Sequence, residues 1–158
     1  MNKKILRLFL IGFSFLSQAQ TESTQDLKGS FSAIIVSDIN TSIDWYSSVL
    51  GLEMLHKTAS KERGFKQSNL KKGGVLIELI ELNKAINLKK DFPNFNSRMR
   101  FNGFFKIGFL VSDFDKWMLD LKKKKVSIYG SVVTDVNSKK RMVIILDPDG
   151  NRIQLFEN

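Results

Sequence analysis

Few side chains in this 158-residue chain can carry chemistry, and their types narrow it quickly. There is no cysteine, which excludes disulfides, thiolate metal sites and thiol nucleophiles. There is one histidine, His56, so no site within a single chain can use two imidazoles. What remains is a carboxylate and an amide in matching surroundings. "IELIE" at residues 77–81 returns as "IQLFE" at residues 153–157, an offset of 76. Glu78 and Gln154 therefore occupy the same place in two copies. A carboxylate can hold a cation, exchange a proton or anchor an N–H donor, whereas an amide oxygen can coordinate but brings no charge. "VSDI" at residues 36–39 likewise returns as "VSDF" at residues 111–114, an offset of 75. Two motifs in one order at almost one offset mark an internal repeat.

The elements that must position these residues repeat as well. Residues 31–36 form an apolar run that reads as a strand. Ser37 or Asp38 caps the helix that follows, with Ile39, Ile43, Tyr46 and Leu50 as its buried stripe. Gly51 ends it. Residues 52–58 read as a second strand, 65–70 as a weak third, and 75–82 as a fourth after the Gly73-Gly74 turn. In the second half, residues 105–111 read as a strand, and Asp113 opens a helix carrying Phe114, Trp117, Met118 and Leu121. Residues 126–129 read as a strand and 131–136 as a short, weaker one. Residues 140–146 and 151–156 form a hairpin around Pro148-Asp149-Gly150. Each half is read as βαβββ, the second with its short 131–136 strand in addition, giving an α+β domain over residues 30–157. Module one is 30–82 and module two 104–157. The connection, 83–103, is long for a compact domain and holds Phe92, Phe95, Phe101 and five Lys or Arg residues. It either covers a cavity or packs flat on the sheet edges.

Composition bounds the setting. Hydrophobic content of 42 % and charged content of 26 % are ordinary for a globular domain, and the length suffices for one core. Residues 1–19 read as a signal peptide: Lys3 and Lys4, an apolar stretch, then Ser17-Gln18-Ala19 as the cleavage site. The apolar stretch is interrupted by Arg7 and is shorter than the ~20 residues a spanning helix needs. The chain is expected to be exported to a periplasmic or extracellular location, with residues 20–29 as a polar leader and no membrane contact after cleavage. Removing Lys3, Lys4 and Arg7 takes the formal charge from +9 to +6. Nucleic acid is not an expected partner of a basic exported protein. The Lys122 to Lys125 run sits at a helix end, where cations interact well with the dipole and with water.

"FSAIIVSDINTSIDWYSSVLGLEM", "FKIGFLVSDFDKWMLDL" and the ending "DPDGNRIQLFE" resemble the vicinal oxygen chelate superfamily. That superfamily includes glyoxalase I, extradiol dioxygenases, fosfomycin-resistance enzymes and bleomycin-resistance proteins. The resemblance covers about residues 30–157, and "WYSSVLGLEM" and "DPDGNRIQLFE" are its most specific parts. It implies that the two modules build a half-open, cup-shaped, eight-stranded mixed sheet whose concave face holds the ligand. In catalytic members, the first and fourth strands of each module supply His, Gln or Glu ligands to a divalent metal. Carried across residue by residue, the four positions here are Phe31, Glu78, Lys106 and Gln154.

Of these four only Glu78 is a good ligand. Phe31 has no donor atom, and the Lys106 ammonium has no lone pair and repels a second cation. The resemblance therefore implies a cup without a metal; a weaker alternative keeps Zn, Ni, Fe or Mn on Glu78 and Gln154 with water. Lys106 is expected to pair with Glu78, either as a structural plug or as a fixed charge facing a ligand oxygen. The two are also the candidate acid–base residues should the protein be an enzyme. Phe31, Ile35, Glu78, Lys106, Arg152 and Gln154 are the candidate ligand-binding residues. Period-two alternation adds Ala33, Leu76, Ile80, Gly108, Leu110 and Phe156 to the same face. Arg152 either reaches a ligand's anionic group or lies at the rim, and His56 is expected to be exposed or satisfied locally. The expected function is metal-free binding of a small aromatic or amphipathic molecule, in the manner of bleomycin-resistance proteins. The alternatives are a metal-dependent lyase, isomerase or dioxygenase of the glyoxalase type, and an interaction module without a small ligand. Family members often pair, so a homodimer is expected.

Overall fold

The computed structural model describes residues 30–92, 94 and 103–158. The expected signal peptide, the polar leader, and Phe95 and Phe101 of the connection lie outside the described residues. The chain order is β1 (Ser30–Ile35), α1 (Ile39–Leu50), β2 (Glu53–Ser60), β3 (Phe65–Lys72), β4 (Val75–Leu82), α2 (Leu88–Asp91), β5 (Ile107–Val111), α3 (Phe114–Lys123), β6 (Val133–Thr134), β7 (Arg141–Leu146) and β8 (Arg152–Glu157). The eight strands form two four-stranded mixed sheets, ordered β1-β4-β3-β2 and β5-β8-β7-β6. In each, the first strand of the module runs parallel to the last, and the remaining neighbours are antiparallel.

Local chemistry explains the elements. Asp38, in extended backbone, accepts the Thr41 N–H at 2.7 Å and so caps α1. Gly51 takes the left-handed conformation (φ 71°), which lets its N–H and that of Leu52 satisfy the last carbonyls of the helix. Ile39, Tyr46 and Leu50 are buried on one stripe, as their spacing predicts, and meet Leu70, Ile77 and Leu79 of the sheet. In β4, Ile77 and Leu79 face this core, so Leu76, Glu78 and Ile80 must face the opposite side. The second half repeats the arrangement, with Phe114 and Leu121 of α3 in one core with Val143, Ile145, Ile153 and Leu155.

One expectation needs correction. Residues 126–129 and 131–136 are not two strands. Ile128 bridges Ile145, while Val133 and Thr134 pair with Met142 and Arg141 of the same strand, β7. They are two pieces of one antiparallel edge strand, with surplus residues between them that include Gly130 at φ 81°. The second module thereby keeps the βαβββ order of the first.

The two segments that carried the resemblance meet inside the protein. The Tyr46 hydroxyl donates to Asp147 Oδ2 at 3.0 Å, joining α1 to the β7–β8 turn. Asp147 is itself buried; its Oδ1 accepts the N–H groups of Asp149 and Asn151, and its Oδ2 also accepts Asn151 Nδ2. This is the reason for "DPDGN": a short acidic side chain closes the turn on itself and still reaches a tyrosine in the other module. The Ser37 N–H to the Asp149 carboxylate and Lys124 Nζ to the Ser48 carbonyl tie the same two halves together. The modules therefore join on their helix side, and among the described residues the other face of each sheet is left open.

Candidate functional site

The open face of the first sheet is built by register. His56 of β2 lies opposite Asn69 of β3, Asn69 opposite Glu78 of β4, and Glu78 beside Ala33 of β1. These four side chains make one row across the sheet. Phe31 and Ile35, two residues to either side of Ala33, flank the row and are 60 % and 55 % exposed. Together they leave apolar area exposed on the face opposite the packed core. Gln67, diagonal to Glu78 on β3, donates from Nε2 to Glu78 Oε1. Asn69 Nδ2 lies 3.2 Å from His56 Nε2. Oδ1 of Asn69 is buried without a partner.

The open face of the second sheet is closed down. Gln154 matches Glu78 in the repeat, yet it is 1 % exposed, whereas Glu78 is half-buried. Its Nε2 points at the Met142 sulfur at 2.7 Å, and its Oε1 is buried without a partner. The Arg152 guanidinium lies 4.5 Å from the ring centres of both Phe105 and Tyr129. That places it between two aromatic rings, half-buried, rather than at a solvent rim. Phe156 lies over Gly108, where an added Cβ would sit 2.7 Å from its ring. Leu110, 72 % exposed, and Val133, opposite Met142 in the register, are large apolar groups this face still presents to solvent.

The expected Lys106–Glu78 pair does not form. Among the described residues the ion pairs are Lys66–Glu81, Arg141–Asp115 and Arg141–Glu157. Lys106 is exposed in the segment just before β5, on the other sheet from Glu78, and the Glu78 carboxylate takes its hydrogen bond from Gln67 instead. Phe31, Ile35 and Glu78 do share one surface, as expected. Arg152 and Gln154 belong to the other sheet. Alternation along the first and fourth strands missed Gln67 and Asn69, and it left His56 without a role. Alternation on β3, where Ser68 and Leu70 face the core, would have placed Gln67 and Asn69 outward.

The residues at the four expected metal positions do not fit a divalent cation. Phe31 and Lys106 offer no donor, and Gln154 is buried against a methionine on a different sheet from Glu78. Among the described residues, no three His, Asp or Glu side chains come together as a metal cluster. His56 and Glu78 sit two strands apart, about 10 Å at the usual strand spacing, with Asn69 between them.

Comparison with known proteins agrees with this architecture. The chain is 29 % identical over 126 residues to an uncharacterized Bacillus subtilis protein, YwkD, covering 79 % of this chain and 92 % of that one. The structure of a glyoxalase family protein from Enterococcus faecalis superposes with a TM-score of 0.69 at 20 % identity, over 84 % of this chain and 98 % of that one. A trypanothione-dependent glyoxalase I from Leishmania major superposes with a TM-score of 0.61 at 22 % identity, over 85 % and 87 % of the two chains. At these identities the two structures speak for the fold. The family model for the glyoxalase/bleomycin resistance protein/dioxygenase superfamily matches residues 30–155. With paired βαβββ modules joined through Tyr46 and the "DPDGN" turn, the chain belongs to the glyoxalase/bleomycin resistance protein/dioxygenase superfamily.

Proposed function

We propose that this is an exported protein that binds a small aromatic or amphipathic molecule on the open face of its sheets without a metal. One observation carries the reading: Phe31 and Ile35 stand exposed beside Glu78, so an apolar wall adjoins a polar group on a preformed sheet. Ligand surfaces commonly combine apolar area with a few placed polar groups in this way. The poor donor chemistry at positions 31, 106 and 154 favours an organic ligand over a metal-held one. Export rests on the N-terminal pattern of residues 1–19. Pairing into a homodimer is part of the same proposal. It draws support from β1 and β5, which are both sheet edges and both carry exposed apolar side chains.

A thermal-shift screen of small aromatic compounds, run with and without EDTA, tests the binding claim. The expected result is a set of compounds whose stabilisation survives EDTA and is lost in Phe31→Asp. Stabilisation abolished by EDTA, or no stabilising compound at all, would contradict it.

A further inference from the structure

Resting on that reading, we propose that the row His56–Asn69–Glu78 is the polar half of the binding surface and takes a cationic N–H donor group, such as a protonated amine, whose apolar body lies on Phe31 and Ile35. The row presents acceptors. Glu78 Oε1 takes the Gln67 amide, while Oε2 has no partner among the described residues. With its Nδ2 turned to the imidazole, Asn69 leaves Oδ1 buried and unpartnered one strand away. A carboxylate oxygen and an amide oxygen on neighbouring strands, both short of a donor, suit a group that carries several N–H bonds and a positive charge. An anion there would be repelled by the Glu78 carboxylate.

The surroundings favour the same class. Among the described residues Glu78 forms no ion pair, so its charge is left for a ligand, unlike that of Glu81 on the same strand, which is neutralised by Lys66 at 2.6 Å. Lys71, the cation two residues along β3 on this face, is exposed and stands opposite Glu53 and Leu76 in the register rather than opposite Glu78, with no ion pair among the described residues. Ala33 is the smallest side chain of the row and leaves room at the β1 end, where the Phe31 ring can face a cation. Gln67 holds the carboxylate in place from the side, which lowers the ordering cost of binding. Among the described residues the second half offers no equivalent row, because Gln154 is buried against Met142 and Arg152 is held between two rings. Binding by this mode is confined to the first module.

The test compares three probes of one shape, 2-phenylethylammonium, 2-phenylethanol and 3-phenylpropionate, titrated into the protein and followed by amide chemical shifts. The ammonium is expected to bind about tenfold or more tighter than the carboxylate, as one charge-assisted hydrogen bond implies. Shifts should centre on Phe31, Asn69 and Glu78, and Glu78→Gln should remove the preference while leaving the melting temperature near its original value. Asn69→Ala should weaken the ammonium alone, and it serves as the second variant if Glu78→Gln folds poorly. Equal or tighter binding of the carboxylate, a preference that survives both variants, or shifts centred on Arg152 would overturn the inference. If neutral or anionic compounds from the thermal-shift screen bind while the ammonium does not, the inference falls and the broader reading stands. If nothing binds, both fall.

Discussion

Tyr46→Phe removes one oxygen and one hydrogen bond from the join between the two modules, and its cost can be worked out. Tyr46 is fully buried, and its hydroxyl donates to Asp147 Oδ2 at 3.0 Å. Phenylalanine fills almost the same volume, so no cavity term enters. What is lost is a hydrogen bond to a buried carboxylate, about 1.5–3 kcal/mol. With a urea m-value of about 1.5 kcal/mol/M, a loss of 2 kcal/mol moves the unfolding midpoint down by about 1.3 M. The pH dependence adds a second check. Burial pushes the Asp147 carboxyl above its usual range, against the lowering effect of the Asn151 and Tyr46 hydrogen bonds. A carboxyl raised on folding favours the folded state most below its unfolded value, and that contribution is lost as pH rises through the folded value. Without Tyr46 the carboxyl is raised further, so the variant should lose more at pH 7 than at pH 4. Urea unfolding at both values measures this. A midpoint within 0.3 M of the original at pH 7, about 0.5 kcal/mol on the same m-value, would refute the reasoning.

Three further outcomes follow from the packing. Gly108→Val drives a side chain into the Phe156 ring and should destabilise by about 1–3 kcal/mol, read by denaturant unfolding. Arg152→Met gives up the cation contacts with Phe105 and Tyr129 and should cost about 1–2 kcal/mol, read by denaturant unfolding. The Glu157 carboxyl is held down at about 2 by its Arg141 hydrogen bonds. A lowered carboxyl stabilises above its unfolded value and loses that contribution as pH falls through the folded one. Glu157→Gln should therefore flatten the loss of stability between about pH 4.5 and pH 2, as followed by melting temperature against pH.

Much of the fold could be read from residues that act locally. Asp38 as a cap, Gly51 as a stop, and β4 over residues 75–82 depend on neighbours a few positions away, and each stands where its chemistry predicts. The repeat placed Glu78 on the open face because period two fixes the side once Ile77 and Leu79 face the core. The site was less legible because it is made by register between strands. Gln67, Asn69 and His56 lie on strands whose polar residues hide the alternation, and only the β2–β3–β4 register brings them to the face that carries Glu78. The Lys106–Glu78 pairing failed for the same reason: a shared position in the repeat does not put two residues on one sheet. The burial of Gln154 needs Met142, Phe156 and the missing side chain of Gly108 together, a convergence of three strands that no short motif encodes. The apolar runs at 126–129 and 131–136 were two by composition and one by pairing, since both lie along β7.

Glu78 and its neighbours are proposed to serve an organic ligand and to hold no metal. The most direct test is metal content, by mass spectrometry, of protein purified without a histidine tag and dialysed against metal-free buffer. The account predicts Zn, Ni, Fe and Mn well below one equivalent per chain in both the natural protein and Glu78→Ala. Stoichiometric metal in the natural protein that disappears in Glu78→Ala would contradict it.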